Sequence, residues 1–244
     1  MAGTAVRGRL SWQVATVASV TDETDTVRTI MLDLPDWPGH QPGQHLDVRL
    51  TAEDGYVAER SYSIASAADE PVAITVERLE DGEVSPYLTR ELRPGDQMEV
   101  RGPIGNWFTW EPGDGGPLLL IAGGSGVVPL RAILRHRQRT GSTVPARLLY
   151  SSRSLEDVIY RRELDQYRGS ADVRYTLTRR QPPGWGGFTG RVDDAMLARI
   201  AWPASQRPLA FICGPTPFVE AVAGLLVARH YPENRVKTER FGGA

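Results

Sequence analysis

The pattern of the sequence changes at residues 111–117, and this change most constrains how the chain can fold. These residues, rich in glycine and proline, interrupt every hydrophobic periodicity. Before them, turn signals such as Asp81-Gly82 separate short segments rich in β-branched residues. After them, apolar runs alternate with segments of helical spacing. We therefore expect two domains, at residues 1–112 and 117–244.

The first domain is predicted to be a small antiparallel barrel. Short strands at this spacing, joined by tight turns, are typical of such barrels. One helix, Tyr87–Leu92, interrupts the strands, with Ser85 predicted as its N-cap and Pro86 as its first residue. The predicted strands are Val14–Val20, Val27–Leu34, His45–Leu50, Arg60–Ala65, Val72–Leu79 and Gln97–Gly102.

The second domain is predicted to be a doubly wound parallel sheet. Continuous apolar strands separated by amphipathic helices indicate a parallel sheet covered on both faces. The predicted strands are Leu118–Ala122, Ala146–Ser151, Val173–Thr178 and Leu209–Cys213. The predicted helices are Pro129–Arg139, Val158–Gln166, Ala195–Ile200 and Pro217–Arg229, and Arg235–Phe241 is predicted as an extended tail.

Composition narrows the possible function classes. The formal net charge of −2 argues against general nucleic-acid binding, which needs a basic surface. The longest apolar run, Leu118–Ala122, is too short to span a membrane, and Met1–Trp12 lacks a signal-peptide pattern, so we expect a cytoplasmic protein. Cys213 is the only cysteine, which excludes a disulfide or a four-thiolate iron–sulfur cluster within this sequence. The histidines share no ligand spacing, and no metal is expected.

One candidate diphosphate site lies in the first domain. Arg60 and Tyr62 stand at i and i+2 of a strand and project from one face, while Ser63 projects from the other. A guanidinium binds a diphosphate as a forked donor, and a tyrosine offers a flat surface for a ring. The loop Gly82-Glu83-Val84-Ser85 adds a second phosphate contact through Ser85 at a helix start. The alternative is an ordinary edge strand followed by a capped helix.

A second candidate site opens the second domain. Gly123-Gly124-Ser125-Gly126 follows an apolar strand directly, and a helix is predicted to begin around Pro129. Glycines let the backbone approach a diphosphate, and the helix N-terminus neutralises part of its charge. Two diphosphate sites on one chain are most simply explained by two nucleotides held against each other. Hydride transfer between a nicotinamide and a flavin requires that arrangement.

These motifs, with Cys213-Gly214-Pro215 after a later strand, resemble those of the ferredoxin–NADP reductase family. The family carries Arg-x-Tyr-Ser, Gly-x-x-Ser, Gly-Gly-x-Gly-x-x-Pro and Cys-Gly-Pro in this order, and the resemblance covers the chain from about residue 12 to the end. It implies an antiparallel six-stranded FAD-binding β-barrel followed by a doubly wound parallel-sheet NAD(P)-binding domain.

The resemblance also implies roles for residues of the first site. Arg60 and Ser85 would hold the FAD diphosphate, and Tyr62 would stack on the isoalloxazine ring. Ser63 would form a hydrogen bond near flavin N5. In the second domain Cys213 would face the nicotinamide C4, a buried inert thiol being the alternative.

The end of the chain has a similar implied role. Glu239 would lie in the proton and electron path on the acceptor side, and Phe241 would cover the flavin. The alternative is a disordered tail. The sequence departs here from the plant-type pattern, in which the aromatic residue is last, because Gly242-Gly243-Ala244 follows. The implied catalytic set is therefore Ser63, Cys213 and Glu239.

Three arginines bear on the choice of nicotinamide cofactor. NADPH differs from NADH by a ribose phosphate, which arginines recognise. Arg153, preceded by Ser152, and Arg179 and Arg191 lie at or just past predicted strand ends, at positions that bind the 2′-phosphate in bacterial members the chain resembles. Solvated surface arginines are the alternative. We expect NADPH, with NADH possible.

The function implied by the resemblance is that of an FAD-dependent NAD(P)H oxidoreductase. Hydride would pass from the nicotinamide C4 to flavin N5, and single electrons would then pass to a ferredoxin, iron–sulfur or haem protein on a separate chain. We expect a monomer. The alternatives are a reductase for free flavin, quinone or oxygen, and a redox subunit that binds one nucleotide without turnover. The predicted cofactor-binding residues are Arg60, Tyr62, Ser63, Gly82, Val84, Ser85, Gly123, Gly124, Ser125, Gly126, Pro129, Ser152, Arg153, Arg179, Arg191, Cys213, Gly214, Pro215 and Phe241.

Overall fold

The computed structural model describes residues 10–167 and 169–242, which form two six-stranded sheets and five helices longer than a 3₁₀ turn. Most of Met1–Trp12, together with Gly243 and Ala244, therefore lies outside the described residues. The strands of the first sheet are β1 Gln13–Thr24, β2 Val27–Asp33, β3 His45–Thr51, β4 Val57–Ser63, β5 Ala73–Glu77 and β6 Gln97–Ile104. The strands of the second sheet are β7 Leu118–Gly123, β8 Ala146–Ser152, β9 Asp172–Leu177, β10 Phe188–Thr189, β11 Leu209–Pro215 and β12 Val236–Phe241. The helices are α1 Ser85–Arg90, α2 Val127–Arg139, α3 Arg161–Leu164, α4 Asp194–Ile200 and α5 Thr216–Ala228.

The first sheet is antiparallel and curls into a barrel. Its strand order is β4-β3-β6-β1-β2-β5, and a bridge between Ile64 and Ile74 joins the two ends. Alternate residues of the strands point inward, so that Leu46, Val48 and Val100 are fully buried in one core. Helix α1 adds apolar side chains to the same core. The predicted six-stranded antiparallel barrel is confirmed.

The second sheet is parallel and is covered by helices on both faces. Its order is β10-β9-β8-β7-β11-β12. Every residue of β7 is buried, and its side chains alternate between two cores. Leu118 and Leu120 pack with α2 on one face, whereas Leu119 and Ile121 pack with α4 and α5 on the other. The predicted doubly wound parallel sheet is confirmed.

The two sheets share part of their buried core. Val27, Ala65 and Ala73 of the barrel side belong to the same cluster as the first turn of α2. The Phe108 ring meets the Phe211 ring of β11 edge to face, with 5.1 Å between centroids. The barrel and the parallel sheet are therefore held together by apolar packing as well as by the chain connection.

The predicted N-cap at Ser85 is wrong. Helix α1 begins at Ser85 itself, with Val84 at the N-cap position and no side-chain capping hydrogen bond. The Ser85 hydroxyl oxygen instead accepts a hydrogen bond from the Leu79 backbone N–H at 3.0 Å. This contact joins the helix start to the turn that follows β5, a local arrangement that competes with capping.

Three further elements, one helix and two strands, differ from the prediction in the part of the chain that forms the second sheet and its helices. The helix predicted at Val158–Gln166 shortens to α3 and a following 3₁₀ turn, because Tyr160 has a left-handed backbone (φ 59°, ψ 23°) that cannot continue a helix. The predicted tail pairs with β11 as β12, a sixth strand. The short strand β10 was not predicted.

No helix within residues 10–167 and 169–242 combines the length and apolar composition needed to cross a membrane. The division into domains at residues 1–112 and 117–244 remains a prediction.

Candidate functional site

The centre of the candidate site is the place where the order of the parallel strands reverses. Strands β8 to β10 lie on one side of β7, and β11 and β12 lie on the other. Ligands of open parallel sheets bind outside the carboxyl ends of the strands at such a point. The turn Gly123–Gly126 after β7 and the Cys213-Gly214-Pro215 segment of β11 both lie there.

Glycine is required at this point because two backbone segments touch. A Cβ at Gly126 would overlap the Cys213 carbonyl group of β11. A Cβ at Gly214 would come within 2.7 Å of the Phe218 ring, and one at Gly123 within 2.9 Å. Larger side chains would push the two strand ends apart. The glycines therefore keep a narrow backbone-lined cradle of the kind that a diphosphate needs.

The cradle leads directly into a helix. A 3₁₀ turn at Gly124–Gly126 continues as α2, and no side chain caps either N-terminus. Helix α2 begins at Val127, two residues before the predicted start at Pro129. Pro129 is therefore its third residue, where the missing N–H of proline is not needed. Backbone N–H groups of this first turn are available to an anion, so the residues fit a dinucleotide diphosphate.

Cys213 and Glu239 lie side by side near the ends of β11 and β12. Their Cα atoms are register partners, as are those of Pro215 and Phe241. Cys213 is buried, and burial raises the pKa of its thiol well above the ordinary value, with a smaller contribution from the charge of Glu239. Burial also raises the pKa of the Glu239 carboxyl to about 7. Phe241 is 36% exposed at the strand end.

The predicted nicotinamide-side arginines lie along the same carboxyl edge. Arg153 follows β8, and Arg179 and Arg191 come just after β9 and β10. The Arg179 N–H donates to the Arg153 carbonyl at 2.9 Å, and the Thr178 N–H donates to the carbonyl of the buried Ser152. All three arginine side chains are exposed. They can present positive charge to a phosphate, but their role remains a prediction.

The barrel contributes Arg60, Tyr62 and Ser63 on β4. Tyr62 is register partner of Leu46 and packs against the barrel core, and burial raises the pKa of its hydroxyl. The exposed Arg60 guanidinium makes an ion pair with the Glu83 carboxylate of the Gly82–Ser85 loop. The strand and the loop, 23 residues apart in sequence, are thus brought together, as a shared diphosphate site requires.

The Gly82–Ser85 loop is tightly closed. The Gly82 N–H donates to the Leu79 carbonyl at 2.9 Å, and a Cβ at Gly82 would lie 2.9 Å from the Ser85 hydroxyl oxygen. Val84 is buried. Because the Ser85 oxygen accepts from Leu79, its O–H remains a donor that could serve a phosphate. The roles of Gly82, Val84 and Ser85 remain predictions.

Several residues at the site were not assigned there from the sequence. Glu83 lies inside the predicted loop, and the Tyr56 hydroxyl donates to its carboxylate at 2.6 Å. Glu77 ends β5, and its carboxylate oxygen lies 3.9 Å from where a Cβ of Gly124 would stand. His45 is register partner of Ser63, and burial lowers the pKa of its ring. Only Glu83 carried a sequence signal, as an acid beside the predicted phosphate contacts.

The barrel and sheet parts of the site approach each other through one short segment. Ala65, two residues after Ser63, lies in the same buried cluster as Val127 and Val128 at the start of α2. The strand with Arg60, Tyr62 and Ser63 therefore ends near the start of α2. The two candidate diphosphate sites therefore lie on parts of the molecule that meet at the start of α2.

The barrel half and the parallel-sheet half of the chain each match a family model. The family model described as an oxidoreductase FAD-binding domain matches residues 14–109, and the oxidoreductase NAD-binding domain matches residues 120–224. The FAD/NAD-binding domain of nitric oxide dioxygenase from Vibrio cholerae has a similar structure, with a TM-score of 0.84, 25% identity, and coverage of 94% of this chain and 98% of that one.

Two relatives are similar along most of this chain. Glycine betaine monooxygenase reductase subunit from Chromohalobacter salexigens is 34% identical over 233 residues, covering 91% of this chain and 62% of that protein. The chain thus spans about three fifths of the length of that relative. Ferredoxin–NADP reductase B from Sorangium cellulosum is 39% identical over 210 residues, covering 82% of this chain and 85% of that protein. The chain belongs to the ferredoxin–NADP reductase family, the two-domain oxidoreductases that bind FAD and a nicotinamide dinucleotide.

Proposed function

We propose that the protein is an FAD-dependent NAD(P)H oxidoreductase that delivers single electrons to a separate ferredoxin, iron–sulfur or haem protein. The observation that carries this proposal is the approach of the β4 end to the glycine cradle of β7 and β11, through the buried cluster that contains Ala65 and Val127. FAD, when bound, would supply the chemistry, since it accepts an electron pair from the nicotinamide and releases electrons one at a time.

The barrel residues would bind and orient FAD. The Arg60 guanidinium would exchange the Glu83 carboxylate for the diphosphate, and the Ser85 O–H would donate to the same group. Tyr62, fixed against the barrel core, would support the flat face of the ring. The Ser63 hydroxyl would hold a hydrogen bond at the ring edge.

The residues of the parallel sheet would position the nicotinamide. The N-terminus of α2 would receive the diphosphate. Cys213, small and with a protonated thiol, would provide a contact surface and act as a spacer rather than as a nucleophile. Glu239, with a pKa of about 7, would hold or release a proton at its carboxyl oxygen near neutral pH. Phe241 would shield the crevice from water.

We infer a preference for NADPH over NADH. Arg153, Arg179 and Arg191 share the carboxyl edge of the sheet and are exposed, which supports a joint role in binding the ribose 2′-phosphate. We also infer a monomeric, cytoplasmic protein. The similarity to a monooxygenase reductase subunit supports an oxygenase system as the destination of the electrons.

The proposed function is tested with purified protein under anaerobic conditions. The preparation is expected to be yellow, and NADPH is expected to bleach the flavin absorbance in a single rapid phase. Ferredoxin from the same host should then raise cytochrome c reduction above the background without ferredoxin. A folded protein that takes up no FAD at saturating concentration would contradict the proposal. Equal rates with and without ferredoxin would instead indicate a partner-free reductase.

A further inference from the structure

Tyr160 lies in the loop between β8 and α3 with an unusual backbone. Its φ of 59° and ψ of 23° place it in the left-handed region, although it carries a large aromatic side chain and not a glycine hydrogen. The residue is only 4% exposed. A bulky residue keeps this conformation only where the surrounding contacts determine it, and such positions cluster at functional sites.

The Tyr160 side chain crosses from the parallel sheet to the barrel. Its hydroxyl donates a hydrogen bond to the Thr75 hydroxyl oxygen of β5. Thr75 and Thr29 are joined by a hydrogen bond of 2.8 Å between their hydroxyl oxygens, and Thr29 donates to the Glu23 carboxylate at 2.7 Å. One polar chain therefore runs from Tyr160 through three barrel strands. Such buried networks specify one arrangement when every member has a partner.

Arg131 of α2 holds the Tyr160 ring from the other side. Its guanidinium carbon lies 4.4 Å from the ring centroid, and its Nη1 donates to the Ala65 carbonyl of the barrel at 2.8 Å. Arg131 also makes an ion pair of 2.6 Å with Glu163 of α3. Tyr160 is therefore enclosed by groups from both parts of the molecule. Arg135 makes ion pairs with both Glu163 and the barrel residue Glu70, and so adds a second polar link between α2, α3 and the barrel.

The same loop leads to the predicted nicotinamide-binding edge. It begins at Arg153, immediately after β8, and ends at Tyr160. The backbone N–H groups of Arg179 and Arg180 both donate to the Arg153 carbonyl, at 2.9 and 3.1 Å. A shift of Tyr160 relative to the barrel would therefore move the edge that carries two of the predicted phosphate-binding arginines.

We propose that Tyr160 is a positioning residue: its hydroxyl contact with Thr75 sets the place of the parallel sheet against the barrel, and so the distance between the nicotinamide and flavin rings. This inference rests on the proposed function. Tyr160 touches neither cofactor in the proposal, and it acts through the loop 153–160 and through Arg131. Since a misplacement of about 1 Å can slow a reaction about a hundredfold, a small rotation at this contact is sufficient to change the rate.

The test uses three variants of the FAD-loaded protein: Tyr160→Phe, Thr75→Val and the double variant. Each single variant is expected to lower the rate of flavin reduction by NADPH about tenfold in anaerobic rapid mixing, with unchanged FAD content. The double variant should be no slower than Thr75→Val, because each single change already removes the contact between Tyr160 and Thr75. The long-wavelength charge-transfer absorbance that stacked nicotinamide and flavin rings produce should weaken in parallel.

Tyr231→Phe is the matched control. Its hydroxyl donates to the Trp202 carbonyl at 2.6 Å within the parallel-sheet region, so the variant also loses a hydrogen bond but leaves the barrel contact intact. Its flavin reduction rate and charge-transfer absorbance are expected to match those of the unmodified protein. A rate loss equal to that of Tyr160→Phe would show a general effect of stability and would overturn the proposal.

A second measurement does not depend on activity. In urea unfolding, the effects of Tyr160→Phe and Thr75→Val should be non-additive in their double variant, whereas those of Tyr231→Phe and Thr75→Val should add in a second double variant that combines these two changes. Additive effects for the first pair, or flavin reduction rates within about twofold of the unmodified protein, would overturn the positioning role. If the unmodified protein itself binds no FAD, the proposed function fails instead. The urea unfolding of the single and double variants would still measure the contact between Tyr160 and Thr75.

Discussion

Burial controls the protonation of Cys213 and Glu239, the register partners two residues before the ends of β11 and β12. The Cys213 thiol has a raised pKa because it is removed from water, and the neighbouring Glu239 charge raises it further. A protonated thiol is a poor nucleophile, so what the Cys213 side chain contributes to the site is its small size. The Glu239 carboxyl, with a pKa of about 7, changes protonation in the physiological range.

The raised pKa of Glu239 makes the stability of the FAD-free protein depend on pH. Its pKa is about 7 in the folded protein, against an ordinary value of 4.5. The folded state therefore binds the proton more tightly, and the free energy of unfolding should fall as pH rises from about 4.5 to about 7, by on the order of 3 kcal/mol. In Glu239→Gln this part of the decline should disappear. Urea unfolding at pH 5 and pH 8 measures it.

The exposed Glu233 provides the control for this pH dependence. Glu233→Gln should keep the decline of the unmodified protein. A decline of the same size in Glu239→Gln would show that other groups cause it, and that burial of Glu239 does not penalise its charge.

Arg179 is the residue at which cofactor choice can be tested. A charge-assisted hydrogen bond to the 2′-phosphate is worth about 1.5–3 kcal/mol, so Arg179→Ala should raise the Kd for NADPH about tenfold or more. The Kd for NADH should change little, because NADH lacks that phosphate. Titration calorimetry with both cofactors provides the measurement. Equal losses for NADPH and NADH would remove the assignment.

Arg180 is the matched control for Arg179. It is the next residue, is also exposed, and makes its ion pair with Glu156 at 3.0 Å. Arg180→Ala should leave the affinity for NADPH within about twofold, since an exposed ion pair contributes little.

At the scale of elements, the turn between β7 and α2 is fixed by the strand beside it. Gly126 can be only glycine because the Cys213 carbonyl group occupies the space of a side chain. Gly126→Ala should therefore lower the free energy of unfolding by on the order of 2 kcal/mol and weaken NADPH binding about tenfold. Chemical unfolding and cofactor titration measure the two effects.

Gly224 in the middle of α5 serves as the contrasting glycine. A Cβ there meets no atom within 4 Å, and the position is exposed. Gly224→Ala should raise the free energy of unfolding by about 0.5–1 kcal/mol, because alanine favours a helix, and should not affect NADPH binding. If Gly126→Ala behaved like Gly224→Ala, the proposed close approach of the two strand ends would be wrong.

The elements that the sequence predicts well are those with a local signal. The apolar run Leu118–Ala122 predicts a strand buried on both faces, and the glycines after it predict the turn. Strand β12 is different, because its side chains are only half-buried and its pairing with β11 is a long-range contact. The short α3 depends on the left-handed backbone of Tyr160, which tertiary contacts impose.

In the candidate site, too, the features with a local sequence signal could be predicted and those that depend on long-range contacts could not. The short motifs of each cradle are visible in the sequence, because Arg60, Tyr62 and Ser63 lie close together along the chain, as do Gly82 and Ser85, and the glycines of 123–126. Contacts between the barrel and the parallel sheet join distant segments: the Tyr160 hydroxyl donates to Thr75, and Arg131 Nη1 donates to the Ala65 carbonyl. No local pattern predicts them, since each depends on how the barrel and the parallel sheet pack. The roles assigned to the site residues remain predictions that the variants above can test.

At the scale of the whole molecule, the barrel and the parallel sheet are one packed unit. Trp110, at the end of the barrel segment, is 1% exposed and belongs to the cluster that contains Leu118, Leu120 and α2. Its ring meets the His136 ring edge to face, with 6.0 Å between centroids. Lys237 of β12 also donates to the Thr109 carbonyl at 2.7 Å. Separation of the two parts would expose this apolar surface to water.

We therefore expect the two parts to unfold together. Trp110→Ala should lower the free energy of unfolding by about 3–5 kcal/mol, because it leaves a cavity in the shared core. Trp107→Ala, three residues earlier and 58% exposed, should lower it by less than about 1 kcal/mol. Amide hydrogen exchange in β3 and in β8 should report the same opening free energy in the unmodified protein and the same loss in Trp110→Ala. Two separate transitions, or a loss confined to β8, would mean that the barrel is stable without the sheet and that the shared core does not fix the crevice between them.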